Sequence, residues 1–432
     1  MEGEVGTDEA TGQRNSPPSP ALAPIGLSDD LVEELIRFTL SLGTNGPPFS
    51  LALSLSPDYC SRLLQPEPSS LLPLDGCADA CGGVPAYPLY KHLARAIRRC
   101  IESGSFSRSM CITMHSISLY EAAKLKESEW DNVILDKGSE LTNMLKAVDF
   151  ELHVQEPFFS QLRAGLKTVE GRCAIGDYNR IERGSLILCN KCLLLEVQHV
   201  NHYSSFSEML QVETLAKVLP GVETIEHGVQ IYRKFYTEEK EKSNGVLAIS
   251  VSKSASQPYD ALAELLSVLS YDGIASLLGM AHTIGTVADA LPPPRSFLIS
   301  SSTKPTRPNV TGCSLTDAAR ALAKHANRSS DGWWGVLSGS DFNKNRLALQ
   351  MIYRLLNDCC WMNAHIIQPH GCVFEIRVLD GYGARWSHDG LKEDPFSPNS
   401  FGIGIRANNP QYQGQNTKFR NWIIMSTTHY GL

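Results

Sequence analysis

The segment GLKTVEGR, Gly165 to Arg172, places Lys167, Glu170 and Arg172 close together in the chain. Such a set of ionisable groups is able to bind an anion, polarise a carbonyl group or move a proton. It is also found on ordinary solvated strand edges. Because successive side chains of a strand point to opposite faces, a strand that begins at Lys167 would direct Lys167 away from Glu170 and Arg172.

Each of the three side chains suits a different task at a site. The planar fork of Arg172 suits a phosphate or the oxygen edge of a base, because it donates two parallel hydrogen bonds. Lys167 supplies a point charge, and it acts as a base only if burial lowers its pKa. Glu170 is able to accept a hydrogen bond from an exocyclic amine such as N4 of cytosine, or it only holds Arg172 in place.

Further candidate contacts lie on either side of this segment. Tyr203 and Phe206 follow a predicted hairpin, where an aromatic ring either stacks on an unpaired base or packs inside the fold, and packing is favoured for Phe206. Arg163 precedes the segment and is a candidate ligand contact. Asp177 and Tyr178 lie in the loop after it, which is able to close over a ligand.

Composition limits the classes of protein to which the chain belongs. Its 432 residues predict two or three domains, with 42% hydrophobic and 20% charged residues and a net charge of −7. This balance argues against attachment to nucleic acid by bulk charge, but it does not exclude a local basic groove. Scattered cysteines and the lack of a secretory leader pattern predict an intracellular protein of the nucleus or cytoplasm.

Neither a metal, a cofactor nor a membrane span is predicted. The pair Cys189 and Cys192 has CxxC spacing, but no second CxxC or HxxxH pair accompanies it to complete four zinc ligands. The pair is expected to flank a hairpin turn at Asn190-Lys191. The most apolar stretch, residues 259–291, is interrupted by charged side chains and reads as packed helices rather than a span of about 20 apolar residues.

The N-terminal part is predicted to be a disordered tail, residues 1–25, followed by a helical region, residues 26–147. One helix, Leu89 to Ser103, has an apolar face and a separate basic strip. The strip is either a solubilising surface or a patch that contacts phosphate, and its members are Lys91, Arg95 and Arg98.

The pattern changes to short strands and short helices from Val148 onward. An α+β architecture is predicted, with a small mixed β-barrel over residues 148–253. The remaining boundaries are a helical segment at 254–291, a linker at 292–312, a helix–helix–hairpin module at 313–390 and a disordered tail at 391–432. The last module carries more Lys and Arg than Asp and Glu over residues 296–390.

Several ordered blocks of sequence resemble one known family. They are LHVQEPFFSQLRAGLKTVEGR (152–172), GSLI (184–187), YSSFSEML (203–210), LPGV (219–222), GVQIY (228–232), FY (235–236) and GVLAI (245–249). Together they resemble an ASCH domain of the PUA-like superfamily over about a quarter of the chain. The family signature G-x-K-x-x-E-x-R falls on Gly165, Lys167, Glu170 and Arg172. The whole chain, with GYGARW at 381–386, is similar to plant ASCH-domain proteins, although its ending after residue 391 departs from them.

The resemblance implies a small barrel with a cleft lined by the signature Lys, Glu and Arg, and a module that binds RNA or handles nucleotides. Some small bacterial members resemble amidohydrolases of N4-acetylcytidine that use a Lys, a Thr three residues later and a distant Glu. Here Glu170 stands where those enzymes carry Thr, and the distant Glu would be Glu208 or Glu213.

Three functions follow as hypotheses. The first is an RNA-binding protein that reads a single-stranded or modified base, with flanking basic helices on phosphate; it is favoured because extra basic modules suit a polymer ligand. The second is an amidohydrolase with Lys167 and Glu170 as catalytic residues. The third is a scaffold for protein partners.

Overall fold

The computed structural model describes residues 25–44, 53–68, 83–107, 120–283, 285–305, 314–326, 332–367, 371–388 and 401–406. The predicted N-terminal tail lies almost wholly outside these residues. The predicted C-terminal tail, residues 391–432, also lies outside them except for 401–406, which form a strand.

In the described part of the chain, four helices precede the sheet: α1 (Asp29–Thr44), α2 (Pro57–Leu64), α3 (Leu89–Ser103) and α4 (Tyr120–Lys146). A capping box at Ser118 and Glu121 predicts a helix that ends at Lys126, and a second helix is predicted from Ser139 to Ala147. The structure has the single helix α4 instead, because Trp130 and Ile134 are buried on its inner face and the chain stays helical between them. Gly138 allows α4 to approach α3 closely, since a Cβ there would lie 3.1 Å from the side chain of Ile101.

The basic strip of α3 faces the acidic side of α1. Lys91 and Arg95 lie 3.8 and 3.5 Å from the carboxylate of Glu33, and Arg98 Nε lies 2.7 Å from Asp29. These partly exposed ion pairs orient the two helices against each other rather than leaving a free basic surface.

The first sheet has five strands in the order β1–β3–β4–β5–β2. Its strands are β1 (Phe150–Leu152), β2 (Val169–Cys173), β3 (Leu186–Cys189), β4 (Leu193–Tyr203) and β5 (Val246–Lys253). Only β1 and β3 pair in parallel; the other neighbours are antiparallel. The sheet curls into a half-barrel, and together with the surrounding helices it confirms the predicted α+β architecture.

Short helices connect and cover these strands: α5 (Phe158–Arg163), a 3₁₀ helix (Gly176–Arg180), α6 (Phe206–Glu213), α7 (Leu215–Val218), α8 (Ile225–Arg233) and α9 (Glu238–Asn244). Helix α9 was not predicted, although Thr237 caps it by accepting a hydrogen bond from the Lys240 amide and acidic residues occupy its first turn.

The predicted hairpin turn between β3 and β4 is present. Asn190 and Lys191 both have positive φ, 49° and 60°, as a tight two-residue hairpin turn requires. The free thiols of Cys189 and Cys192 are buried on either side of it. Across the described part of the chain, no group of three or more His, Cys, Asp or Glu is placed to hold a metal ion.

The two faces of the half-barrel enter two different hydrophobic cores. Val169, Val246 and Ala248 pack with α6, α7 and α8. Leu247 and Ile249 belong to a larger core shared with α1, α3, α4 and the long helix α10 (Pro258–Leu277). The regions 26–147, 148–253 and 254–291, predicted as consecutive units, therefore share one apolar interior.

The C-terminal part has its own core and a second, antiparallel sheet in the order β6–β7–β8–β9. Its elements are α11 (Arg295–Ser302), α12 (Asp317–His325), α13 (Asp341–Asn357), β6 (Trp361–Ile367), β7 (Gly371–Arg377), β8 (Gly383–His388) and β9 (Phe401–Arg406). Thr316 and Ser340 cap α12 and α13, whereas the sequence pattern predicts Ser314 and Asp341 as the caps.

The prediction of a linker at 292–312 is wrong over its first half. Residues 295–302 form α11, whose Leu298 and Ile299 are buried in the C-terminal core. The segment looked like a linker because serines and prolines dominate it, but Ser301 and Ser302 donate their hydroxyls to the carbonyl of Leu298 and so need no water. Residues 306–312 lie outside the described part.

None of the helices in the described ranges is long and apolar enough to cross a membrane.

Candidate functional site

Lys167 lies just before β2, and its side chain turns back toward the strand. Its Nζ donates to the carbonyls of Val169 (2.7 Å) and Val218 and lies 3.0 Å from Glu170 Oε2. Strand alternation predicted that Lys167 points away from Glu170, and this is wrong because Lys167 precedes the strand. Three acceptors around three N–H groups mark a buried ammonium group with no free donor.

The local backbone explains this placement. Gly165 adopts a φ of +71° after α5, and the amides of Leu166 and Lys167 then both donate to the carbonyl of Gln161. This left-handed end of the helix, which glycine adopts at little cost, reverses the chain and brings Lys167 under the start of β2.

Glu170 lies between the two cations of the signature. Its Oε2 faces Lys167, and its Oε1 lies 2.9 Å from Arg172 Nε. Burial acts to raise the pKa of Glu170, but the charges of Lys167 and Arg172 outweigh it, so the pKa lies below its usual range. Burial lowers the pKa of Lys167, although the charge of Glu170 opposes that shift. A fully ionised Lys–Glu–Arg chain is the arrangement that satisfies all these groups.

Arg172 reaches from one edge of the curled sheet to the other. It belongs to edge strand β2, and its terminal nitrogen donates to the carbonyl of His153, just after the opposite edge strand β1 (2.7 Å). Its side chain is 15% exposed, while that of Lys167 is 1% exposed. Arg172 is therefore the signature cation that a ligand is able to reach.

Two tyrosines lie next to this guanidinium. The Tyr178 ring centre is 5.9 Å from Arg172 Cζ, and Tyr236 shares a hydrogen bond with Arg172. Burial acts to lower the pKa of Arg172, but Glu170, Tyr236 and Tyr178 raise it above its usual range. Tyr178 was only a loop candidate from the sequence, and Tyr236 was not proposed as a site residue. The match of residues 235–236 to the family blocks was the signal that could have found it.

Close packing explains why position 171, between Glu170 and Arg172, is occupied by glycine. A Cβ at this position would lie 2.4 Å from the hydroxyl of Tyr232 and 2.8 Å from Met209 Cε. Only glycine lets β2 lie this close to α6 and α8, so the spacing of the signature is fixed by the core on that side.

Two other candidate residues lie elsewhere. The Tyr203 hydroxyl donates to Glu213 Oε1 (2.7 Å). In the strand register Tyr203 lies opposite Val246, whereas Arg172 lies opposite Leu247, so the two side chains leave opposite faces of the sheet. Arg163 lies with its Cζ 5.8 Å from the ring of Phe38, at the boundary with α1.

The other candidate aromatic and acidic residues are placed as follows. Phe206 is fully buried and stacks on Tyr232, as its packing role predicted. Glu208 accepts from the amide and hydroxyl of Ser204, and Glu213 accepts from Asn201 and Tyr203. Neither glutamate is shown beside Lys167, whose partners are the three described above.

The chemistry of the arrangement follows from its charges. One carboxylate lies between two cations, so the chain of groups carries one excess positive charge. At the buried end, every donor of Lys167 has a protein acceptor, whereas the partly exposed end, Arg172, lies next to two tyrosines. This combination suits a planar or anionic ligand with an electron-rich edge more than it suits proton transfer by the lysine.

Two family models match the chain. One is the ASCH domain, over residues 152–255. The other is the CdiA C-terminal tRNase toxin domain, over residues 303–393. The two matches fall on the two sheets of the structure, one on each. A search of curated proteins gave no match.

Two solved structures are also similar to the chain. The crystal structure of hypothetical protein PH0355 is 40% identical, with a TM-score of 0.24, and the match covers 24% of this chain and 98% of that one. The solution structure of protein PF0455 from Pyrococcus furiosus is 40% identical, with a TM-score of 0.23, over 25% of this chain and 98% of that one. The signature runs from Gly165 into β2, inside the matched residues 152–255, so this region is an ASCH domain and through it the chain belongs to the ASCH-domain family.

Proposed function

We propose that this protein binds RNA through its ASCH domain, with Arg172 as the contact that recognises a base or a phosphate of a single-stranded or modified segment. The observation that carries the proposal is the partly exposed end of the Lys167–Glu170–Arg172 chain, which lies next to Tyr178 and Tyr236. ASCH domains are PUA-like and are associated with RNA binding, which supports this choice of ligand.

Each signature residue has a separate part in the proposed recognition. Glu170 fixes the plane of the Arg172 guanidinium, and Lys167 keeps Glu170 ionised from the buried side. A guanidinium that is already oriented loses less rotational freedom on binding, which strengthens the contact. The Tyr178 ring offers an aromatic surface to a base beside it.

The amidohydrolase alternative has less support from this geometry. Lys167 would have to release a proton to act as a base, but its ammonium group is held by two carbonyls and a carboxylate. Incubation with N4-acetylcytidine at high protein concentration tests it, and formation of cytidine would favour the alternative over simple recognition.

A second candidate function concerns the C-terminal module. The observation that favours it is the match of residues 303–393 to the tRNase toxin family. We propose that this module cleaves RNA that the ASCH domain holds, so that one chain combines recognition with processing.

Salt-dependent retention of RNA tests the first function. Labelled single-stranded oligoribonucleotides should bind the full chain with an affinity that falls as the salt concentration rises. The reason is that each positive side chain that contacts a phosphate releases counterions from the RNA backbone. Arg172→Ala should weaken binding by about 10-fold or more, the value of a charge-assisted hydrogen bond. Arg37→Ala, an exposed arginine of α1, is the matched control. Equal affinity of both variants and the parent would contradict the proposal.

A further inference from the structure

At the partly exposed end of the Lys167–Glu170–Arg172 chain, the described acceptors of the protein are already in use. Glu170 has one oxygen beside Lys167 and the other beside Arg172, and only 11% of its side chain is exposed. The carbonyl of His153 accepts from Arg172 (2.7 Å). A ligand that reaches Arg172 therefore meets hydrogen-bond donors and has to supply the acceptors itself. This argues against Glu170 as the acceptor for an exocyclic amine such as N4 of cytosine.

The hydroxyl of Tyr236 supplies a second donor next to Arg172. A guanidinium group has N–H donors only, so Tyr236 is the acceptor in the hydrogen bond between the two side chains. The phenolic proton is then directed away from Arg172, and no protein acceptor for it is found in the part of the chain that the structure describes. A hydroxyl that accepts a hydrogen bond from a cation is polarised and becomes a stronger donor.

The side chain of Tyr236 is held in place by the core of the domain. Its ring stacks on Phe206, with 5.6 Å between the ring centres and 25° between the ring planes, and its amide donates to the carbonyl of Tyr232 (2.9 Å). Phe206 itself is completely buried. Since Arg172 is also held, by two protein acceptors, both donors are in position before a ligand binds, and such a pair loses little rotational freedom on binding.

The surroundings of these two donors suit a flat base more than a phosphodiester. The side chain of Arg172 is only 15% exposed, so most of its guanidinium lies below the surface. A phosphodiester carries a ribose on each side, which keeps it at the surface, whereas an unpaired base enters edge first. The ring of Tyr178, with its centre 5.9 Å from Arg172 Cζ, offers an aromatic surface to such a base.

Two neighbouring donors select a base edge that has two neighbouring acceptors. Guanine has such an edge in O6 and N7, and its amino group lies on another side of the base. Adenine has an amino group next to N7, and uracil has only O4 on the corresponding edge. Cytosine has N3 next to O2, but its amino group lies beside them and would find no unused acceptor near Arg172. Guanine therefore pairs with both donors and leaves no polar group without a partner.

We infer that the ASCH site binds an unpaired guanine through O6 and N7, with Arg172 and Tyr236 as the two donors and Tyr236 as the residue that determines specificity. The inference rests on the proposed RNA binding and names the base that the site selects. Arg172 alone would attract any acceptor, including a phosphate. The hydroxyl of Tyr236 distinguishes guanine from the other bases, because each of them leaves a polar group unpaired in a partly buried site.

The experiment titrates the full chain with labelled oligouridine strands that carry one guanosine, adenosine, cytidine or uridine at the centre. The guanosine strand should bind about 10-fold more tightly than the other three, the usual discrimination of a paired contact to a base edge. A strand with 7-deazaguanosine, in which carbon replaces N7 and the other polar groups are unchanged, should bind about 5-fold more weakly than the guanosine strand.

Tyr236→Phe keeps the ring and removes only the hydroxyl. This variant should bind the guanosine strand about 10-fold more weakly than the parent does and should bind the uridine strand equally well. A purely structural role of Tyr236 would weaken the binding of all strands alike. Tyr203→Phe is the matched control, because the hydroxyl of Tyr203 donates to Glu213 on the other face of the sheet. It should keep the preference of the parent for guanosine.

The outcomes separate this inference from the proposed function. Equal affinities for the four strands, or a preference for guanosine that Tyr236→Phe retains, would overturn the inference while salt-dependent retention through Arg172 stands. If no strand is retained, RNA binding by the ASCH domain fails as well. The strands are recovered and their lengths checked, because cleavage would lower the apparent affinity. Intact strands and intact transfer RNA after prolonged incubation would contradict the cleavage proposed for the C-terminal module.

Discussion

The guanidinium of Arg172 donates to the backbone carbonyl of His153 and so joins the two edge strands of the half-barrel. The same side chain is the exposed end of the ion chain that begins at Lys167. The proposed recognition of a ligand and the closure of the sheet thus involve the same residue. If Arg172 binds RNA as proposed, the bound ligand also acts on the distance between β1 and β2.

Lysine at this position is expected not to replace arginine. Arg172→Lys keeps the charge, but an ammonium group cannot reach Glu170 and His153 through separate nitrogens of a rigid fork. We expect RNA affinity close to that of Arg172→Ala, measured by fluorescence anisotropy at two salt concentrations. An affinity of Arg172→Lys equal to that of the parent would show that RNA binding requires only a positive charge at position 172.

Removal of the buried lysine should destabilise the domain. Lys167→Met leaves Glu170 without one of its two cations and leaves two carbonyls without their donor, and breaking a buried pair costs about 3–5 kcal/mol. Urea denaturation measures this loss. The double variant with Glu170→Gln should recover part of it, whereas additive losses would show that the two side chains do not interact.

The buried Glu375 should make stability depend on pH. Burial acts to raise the pKa of this residue of β7, but His365, Arg377 and Arg385 lower it from 4.5 to about 2 in the folded chain. A carboxyl group whose pKa is lowered on folding stabilises the folded state at any pH above its pKa in the unfolded chain. For Glu375 this contribution is about 3 kcal/mol, and it is lost as the pH falls from about 4.5 towards 2. The difference in unfolding free energy between the parent and Glu375→Gln should shrink over that window; a constant difference would contradict the assignment.

Gly171 should tolerate no side chain. Gly171→Ala places a methyl group against Tyr232 and Met209, and overpacking of this kind costs about 1–3 kcal/mol. Thermal unfolding should show a lower midpoint than the parent. Gly26→Ala is the matched control, since a Cβ there meets no atom within 4 Å.

The basic strip of α3 should contribute little to RNA binding. Lys91 and Arg95 face Glu33, so their charges are largely balanced within the protein. The double variant Lys91→Ala/Arg95→Ala should bind RNA with an affinity close to that of the parent. A drop comparable to that of Arg172→Ala would restore the earlier hypothesis that this helix contacts phosphate.

The fold of the ASCH region was predictable because many ordered blocks of sequence mark it. The signature also identified Lys167, Glu170 and Arg172. Their mutual arrangement was not predictable, because it depends on where β2 begins: a start two residues after Lys167 allows its side chain to return to Glu170. Simple alternation from Lys167 gave the opposite result.

Contacts between segments that are distant along the chain were the second feature that the sequence alone could not predict. Arg172 meets His153 and Tyr236 only because the sheet curls, and no local pattern encodes that curl. In the same way Glu375, Arg377 and Arg385 read as ordinary charges in a hairpin, since their gathering on one face becomes visible only once the strand register is known. The linker reading failed because serines that bond to their own helix look like solvent-exposed serines in sequence.

The large core shared by the half-barrel with α1, α3, α4 and α10 has a consequence for how the chain acquires its structure. Residues that precede β1 by about a hundred positions pack against the same sheet face as those that follow β5. Folding of the barrel therefore waits for contacts that are remote along the chain, which slows it. Excision of residues 148–253 would leave an apolar sheet face open to solvent, and damage in α1 should reach the Arg172 site without touching it.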